Sequence, residues 1–212
     1  MSNYIFLIGT IAVIHLLACI SPGPDFLLAV KNSITYSRKT GSWTAVGFGL
    51  GMAVHISYCL AGLALIISQS ILIFNALKLL GAAYLLYLGM QSLLAKGHRG
   101  HRLDLDCPEK NNDISPLKAV SMGFLTNVLN PKATLFMLGL FTVVILPGTP
   151  AVVLALASLI IVADTVFWFI LVAHLFTRRR IRAVYQRTQA LSHRFFGGLL
   201  IILGLKIAFA KK

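Results

Sequence analysis

Acidic residues are scarce in this chain. Only six of its 212 residues are Asp or Glu, against 19 Lys and Arg, and charged residues of both signs make up 12%. With 58% hydrophobic residues and a mean hydropathy of +0.84, that scarcity excludes an ordinary soluble domain. Catalytic motifs are missing as well. Neither H-E-x-x-H nor G-x-S-x-G occurs, so the usual metal spacing and nucleophile setting of an enzyme are absent, and without a P-loop direct ATP drive is not encoded. The three cysteines, Cys19, Cys59 and Cys107, are odd in number and form no C-x-x-C, which argues against a disulfide framework or a zinc site. Cys19 and Cys59 read as small buried hydrophobes. No cofactor and no metal is expected. The first apolar run lacks a basic leader and an A-x-A-like cleavage site, so it reads as a transmembrane helix rather than a signal peptide. The net charge of +13 is broken up by apolar blocks and accompanied by no RNA-binding motif. It therefore reports topology, not nucleic-acid binding.

What is present is a series of apolar blocks of membrane length, each near the roughly 20 residues that a span needs. Six spans are predicted, at about 4–23, 43–67, 71–94, 117–146, 150–176 and 195–210. The fold class expected is an all-α membrane protein in one integral domain. The first loop, about 31–42, carries Lys31, Arg38 and Lys39; the third, about 95–116, carries Lys96, Arg99, Arg102 and Lys110. The fifth holds Arg178, Arg179, Arg180, Arg182, Arg187 and Arg194. Loops two and four hold no basic residue, and the positive-inside rule then puts the odd-numbered loops in the cytoplasm. The arginines from Arg178 to Arg187 are expected to meet anionic lipid headgroups.

Two polar breaks interrupt this pattern. One is Ser21-Pro22-Gly23-Pro24-Asp25 and the other runs from Asn127 through Asn130-Pro131-Lys132. Proline cannot continue a regular helix, because it lacks an N–H and clashes with the carbonyl one turn back. Aligning Pro24 on Pro131 sets Asp25 opposite Lys132, an acid and a base at matching positions of two halves. Three spans per half invert the second half relative to the first, and paired interrupted helices point to the binding site of such inverted-repeat carriers. The expected division is 1–94 for the first half, 95–116 for a cytoplasmic linker and 117–212 for the second half, with helices 1 and 4 broken.

Asp25 and Asp164 are the two carboxylates that fall within spans. A charge at membrane depth costs several kcal/mol, which makes such a residue a functional hypothesis by default; the bland alternative is a structural ion pair between Asp25 and Lys132. A free amino acid has matching needs. Its ammonium wants a carboxylate or helix C-terminal carbonyls, and its carboxylate wants a cation or a helix N-terminus. Asp25, Lys132, Asp164, Asn127 and Asn130 are the candidate substrate-binding residues, the asparagines serving equally well as helix caps. Pro22, Gly23, Pro24 and Pro131 shape the breaks. Asp25, Asp164 and His55 are the proton-coupling candidates, with His15 and His174 ranked below His55 and a packing role open to all three histidines. Gly47 and Gly51, at G-x-x-x-G spacing, serve either static helix packing or a sliding surface.

With those residues in view, the chain resembles the lysine exporter superfamily, and within it the homoserine/threonine exporter branch. The resemblance covers nearly the whole chain and rests on Ser21 to Phe26, on Ser37-Arg38-Lys39 and on Leu125-Thr126-Asn127 leading to Asn130-Pro131-Lys132-Ala133. It implies a six-helix exporter of amino acids in the bacterial inner membrane, driven by the proton gradient and homo-oligomeric. The expected function is proton-coupled efflux of a small neutral L-amino acid, threonine or homoserine first, with protons and membrane lipid as the other partners. Exporters of leucine-type or basic amino acids and a structural membrane subunit are the alternatives. Superfamily members that carry electrons hold cysteines at the breaks, where this chain has Gly23 and Pro131.

Overall fold

The computed structural model describes residues 2–21, 23–69, 71–94, 112–144 and 149–209. Within them the chain is helical throughout: α1 (Ser2–Ile20), α2 (Pro24–Thr35), α3 (Arg38–Gln69), α4 (Ile71–Leu94), α5 (Pro116–Val128), α6 (Pro131–Val144), α7 (Ala151–Leu175) and α8 (Arg179–Phe209). Pro22, Cys107 and residues 95–111 of the expected linker lie outside the described residues.

Both expected breaks are real. The first separates α1 from α2 and turns the axis by 62°; the second separates α5 from α6. Each new helix starts with proline, whose fixed φ suits a first helical position and whose missing N–H has no partner to lose there. The sequence reading ended the first span at the break and made residues 31–42 a loop. Instead α2 continues for 12 residues, which puts Lys31 on a helix and shrinks the connection to Tyr36 and Ser37. The last helix also starts earlier than expected, at Arg179 rather than near 195. Arg178, just before it, and Arg179 and Arg180 in its first turn are exposed. Arg182 is buried, against the lipid-headgroup expectation, because its Nη1 donates to the Phe176 carbonyl at 3.0 Å and reaches that of Thr177 at 3.5 Å. A cation is well placed on the last carbonyls of a helix, here those closing α7.

Among the described residues, two stretches are single helices long and apolar enough to span a membrane, Arg38–Gly62 within α3 and Ala151–Leu175, and the bent pair α1–α2 makes a third when counted as one. The two breaks account for part of the difference from six, because they cut two expected spans into shorter helices. The surface agrees with a lipid setting. Phe6, Leu72, Phe167 and Phe209 stand more than half exposed on different helices, an apolar coat that water would not tolerate over so much of a protein.

Helix α3 is the central strut, packed on α2, α5, α6 and α7. Its approach to α5 depends on two glycines. A Cβ on Gly47 would collide with the Val120 carbonyl, and one on Gly123 with the Thr44 carbonyl. The G-x-x-x-G face is thus a backbone-to-backbone packing surface. Two apolar clusters flank the breaks. One gathers Ile11, Met52, Ile56, Phe136, Met137, Phe141 and Ile161; the other gathers Phe26, Val30, Phe48, Phe169 and Phe176. At one end, Asp113 accepts hydrogen bonds from Ser37 (3.0 Å) and Thr40 (2.9 Å). Arg38 Nε donates to Thr177 Oγ1 at 2.9 Å. The α2–α3 corner, the lead into α5 and the α7–α8 turn therefore meet.

Gly123→Ala must push α5 off α3, an overpacking cost of about 1–3 kcal/mol. Gly62→Ala, with nothing within 4 Å of the new methyl, should stay within about 0.5 kcal/mol of wild type. Thermal melts of the two variants in detergent separate them, and equal melting temperatures would refute the packing account.

Candidate functional site

Asp25 stands in the first turn of α2, next to Pro24, where a carboxylate is favoured by the helix dipole. It is buried, and its Oδ2 accepts a 2.8 Å hydrogen bond from Asn127 Nδ2 at the end of α5. Its Oδ1 has no hydrogen-bond partner among the described residues. Asn127 is fixed from two further sides. Its carbonyl accepts from Asn130 N at 3.0 Å and from His55 Nε2 at 2.9 Å. Because a carbonyl only accepts, Nε2 carries the proton, and in the neutral ring Nδ1 then accepts from the Tyr58 hydroxyl at 2.6 Å. Gly51 faces the amide: a Cβ there would come within 2.7 Å of Asn127 Oδ1. The second glycine of the motif is therefore what leaves room for the side chain that holds Asp25.

Lys132 occupies the matching position in α6, after Pro131. Asn130 caps that helix, its Oδ1 accepting from Lys132 N at 3.0 Å. A cation at a helix N-terminus is unfavourably placed, and the ammonium turns away to the end of α1. There Nζ donates to the carbonyls of Ser21 at 2.9 Å and Ala18 at 3.3 Å. Lys132 and Asp25 form no salt bridge with each other among the described residues, so the structural ion pair offered by the sequence is not the arrangement found. Gly23 adopts φ −161°, extended backbone open to any residue, and a Cβ there would make only ordinary contact with Lys132.

Between the breaks lies a cavity of about 40 Å³, large enough for a few waters. Its polar lining is His15, Cys19, Ser21, Asp25, Asn130 and Lys132; its apolar wall includes Phe26, Met52, Phe136 and Phe169. Three expected site residues thus meet at one cavity, and Asn127 supports it from behind. Asp164 stands apart on α7, where its Oδ2 comes within 3.7 Å of His15 Nδ1. His55 does not line the cavity, whereas His15, ranked below it, does. The signal for His15 was its i, i+4 spacing to Cys19, which sets both on the α1 face that leads into the break. Cys59 is buried as expected, while Cys19 is only partly so and faces the cavity.

The family model for LysE type translocators matches residues 16–211. The chain belongs to that family. It is a transporter, not an enzyme, and a membrane protein. Among its curated relatives, the threonine efflux protein of Salmonella typhi is 28% identical over 210 residues, 98% of this chain and 100% of that protein. The threonine efflux protein of Escherichia coli K12 is 27% identical over 202 residues, 95% and 97% of the two chains. The uncharacterized membrane protein YrhP of Bacillus subtilis is 29% identical over 192 residues, 88% of this translocator and 91% of YrhP. No solved structure matches the chain.

Removing the amide with Asn127→Ala leaves the Asp25 carboxylate buried without its donor, at a cost of roughly 1–3 kcal/mol. A thermal melt in detergent should register the loss. Unchanged melting would mean that the Asn127–Asp25 bond does not hold the first break to the second.

Proposed function

We propose that this translocator exports a small neutral L-amino acid, threonine or homoserine first, across the bacterial inner membrane in exchange for protons. One observation carries the reading. A cavity at two helix breaks is lined by a carboxylate and an ammonium that are hydrogen-bonded to neutral partners rather than to each other. Such a pair suits a zwitterion. The substrate ammonium would take the open Oδ1 of Asp25, and its carboxylate would displace the Ser21 and Ala18 carbonyls from Lys132 and use free N–H groups at the breaks. Asn127 and Asn130 would hold the two charged side chains in position. The threonine efflux proteins among the relatives support the substrate class.

Part of the packing supports a two-fold repeat, which three spans per half would make an inverted one; the α2–α3 and α4–α6 contacts have no comparable counterpart among the described residues. Exchanging α1–α4 for α5–α8 in order turns the α1–α7 contact into α5–α3 and the α2–α7 contact into α6–α3, and both members of each pair occur. The α3–α7 and α4–α8 contacts map onto themselves. The bonds of Asp113 to Ser37 and Thr40, and of Arg38 to Thr177, gather loops one, three and five at one end. The wealth of arginine there supports a cytoplasmic assignment for that end. Rocking of the halves would then open the cavity to one side at a time, and protonation of Asp25 or Asp164 would release the ammonium and reset the carrier. His55, with both nitrogens engaged, reaches Asp25 only through Asn127.

A second reading has its own support. Phe26, Met52, Phe136 and Phe169 form an apolar wall on one side of the cavity, which suits a leucine-type side chain.

Counterflow in proteoliposomes tests both readings. Liposomes preloaded with unlabelled amino acid should accumulate labelled threonine from outside, and Asp25→Asn and Lys132→Ala should each cut that exchange at least tenfold in folded protein. Exchange of leucine but not threonine would select the second reading. Full exchange by both variants would refute the site.

A further inference from the structure

We infer that His15 and Asp164 form the proton-carrying station of the translocator, separate from the Asp25 carboxylate that takes the substrate ammonium. The inference deepens the proposed exchange function and rests on it.

The first observation is placement. His15 is 1% exposed, in the middle of α1, yet it lines the same cavity as Asp25 and Lys132. A cavity that holds a few waters gives its ring a route for protons without opening it to lipid. The second observation is what surrounds the imidazole. Asp164 Oδ2 on α7 lies 3.7 Å from Nδ1, Cys19 Sγ on α1 lies 3.9 Å from Nδ1 and 3.7 Å from Nε2, and the Phe136 ring of α6 lies 6.2 Å away, centroid to centroid. Lys132 of α6 is the other cation lining the cavity. The ring nitrogens thus meet no backbone carbonyl among the described residues. This is the opposite of His55, whose two nitrogens are both committed. The third observation is that Asp164 Oδ2, buried, has no hydrogen-bond partner among the described residues. At 3.7 Å it stands within ion-pair range and just beyond hydrogen-bond length, so a small side-chain rotation converts one into the other.

These facts give the proton a defined effect. A hydronium in the cavity passes one proton to the neutral imidazole and becomes water, and the imidazolium closes on the Asp164 carboxylate, drawing α1 and α7 together with no net charge left at the pair. Return of that proton to cavity water leaves Asp164 as an uncompensated carboxylate in the membrane, which is unfavourable and loosens the α1–α7 contact. Since α1 carries the first break, the proton state of His15 bears on the shape of the substrate cavity without occupying the carboxylate that binds substrate. One proton enters on one side and leaves on the other while a zwitterion moves the opposite way; each transfer exchanges one O–H bond of a hydronium for one imidazole N–H bond, or the reverse.

Separate stations predict separable phenotypes. Proteoliposomes with His15→Gln or Asp164→Asn should lose several-fold less of their threonine counterflow than of their driven export. Both should lose at least tenfold of the export driven by an imposed pH gradient, together with the proton flux reported by entrapped pyranine. The pH dependence of driven transport should flatten in both, and the double variant should be no worse than either single one. Asp25→Asn, by contrast, should lose counterflow and driven transport together. Size-exclusion profiles and thermal melts certify each protein, and Asp164→Asn tests the pair on its own if His15→Gln does not fold. Wild-type driven transport and proton flux in either folded variant would overturn the inference. So would equal loss of counterflow and driven export in both, which would assign the pair to the substrate site or to packing. Wild-type protein without counterflow for threonine or leucine would overturn the exchange reading itself, and this inference with it.

Discussion

The hydrogen bonds from Lys132 Nζ to the carbonyls of Ser21 and Ala18 are the constraint on which the site depends. A helix that stops inside a membrane leaves carbonyls facing a medium with no water to satisfy them, at a cost of several kcal/mol for each unmet group. Here the helix that stops is α1, and the donor comes from the start of α6, at the other break. The exchange runs both ways. The carboxylate at the start of α2 is met by the amide of Asn127, at the end of α5. Each break is thus tolerable because the other exists, and neither helix pair could be straightened without stranding polar groups of its partner.

That mutual dependence explains the small residues on α3. Asn127 reaches Asp25 only if α5 lies close to α3, which the bare faces of Gly47 and Gly123 permit, and only if its own amide has space, which Gly51 provides. His55, one turn further along α3, then holds the Asn127 carbonyl. A motif that reads as generic helix packing thus contributes to the electrostatics of the site through one amide. The same logic accounts for Arg182, which leaves the exposed arginine cluster to close the carbonyls at the end of α7.

Much of this was legible in the sequence because prolines and membrane-depth charges have few uses. Pro24 and Pro131 marked both breaks, and the burial of Asp25 followed from its place beside the first of them. What was not legible depended on pairing across the fold. Nothing local says that Lys132 would bind carbonyls instead of Asp25, because that choice turns on where α1 ends relative to α6. The continuation of α2 to Thr35 was hidden by its mixed composition: an amphipathic helix carrying Lys31 and Asn32 looks like a loop to a reading tuned to membrane-length apolar runs. The sequence ranks His55 above His15, although each is a histidine in an apolar helix. The fold separates them by giving one a carbonyl and a phenol and the other a cavity.

The separation of charges in the cavity bears on what the proposed exchange can accept. Were Asp25 and Lys132 bonded to each other, a zwitterion would have to break an ion pair in a poorly hydrated interior before gaining two new ones, and the net gain would be small. With Lys132 held by neutral carbonyls and Asp25 by a neutral amide, the substrate displaces dipoles and supplies full charges. Its binding is then favoured twice, once at each end. The same geometry disfavours a free amine or a free acid, since either would leave one buried charge answered only by dipoles. Discrimination against half-substrates thus follows from keeping the two side chains apart, and the helix breaks are what keep them so.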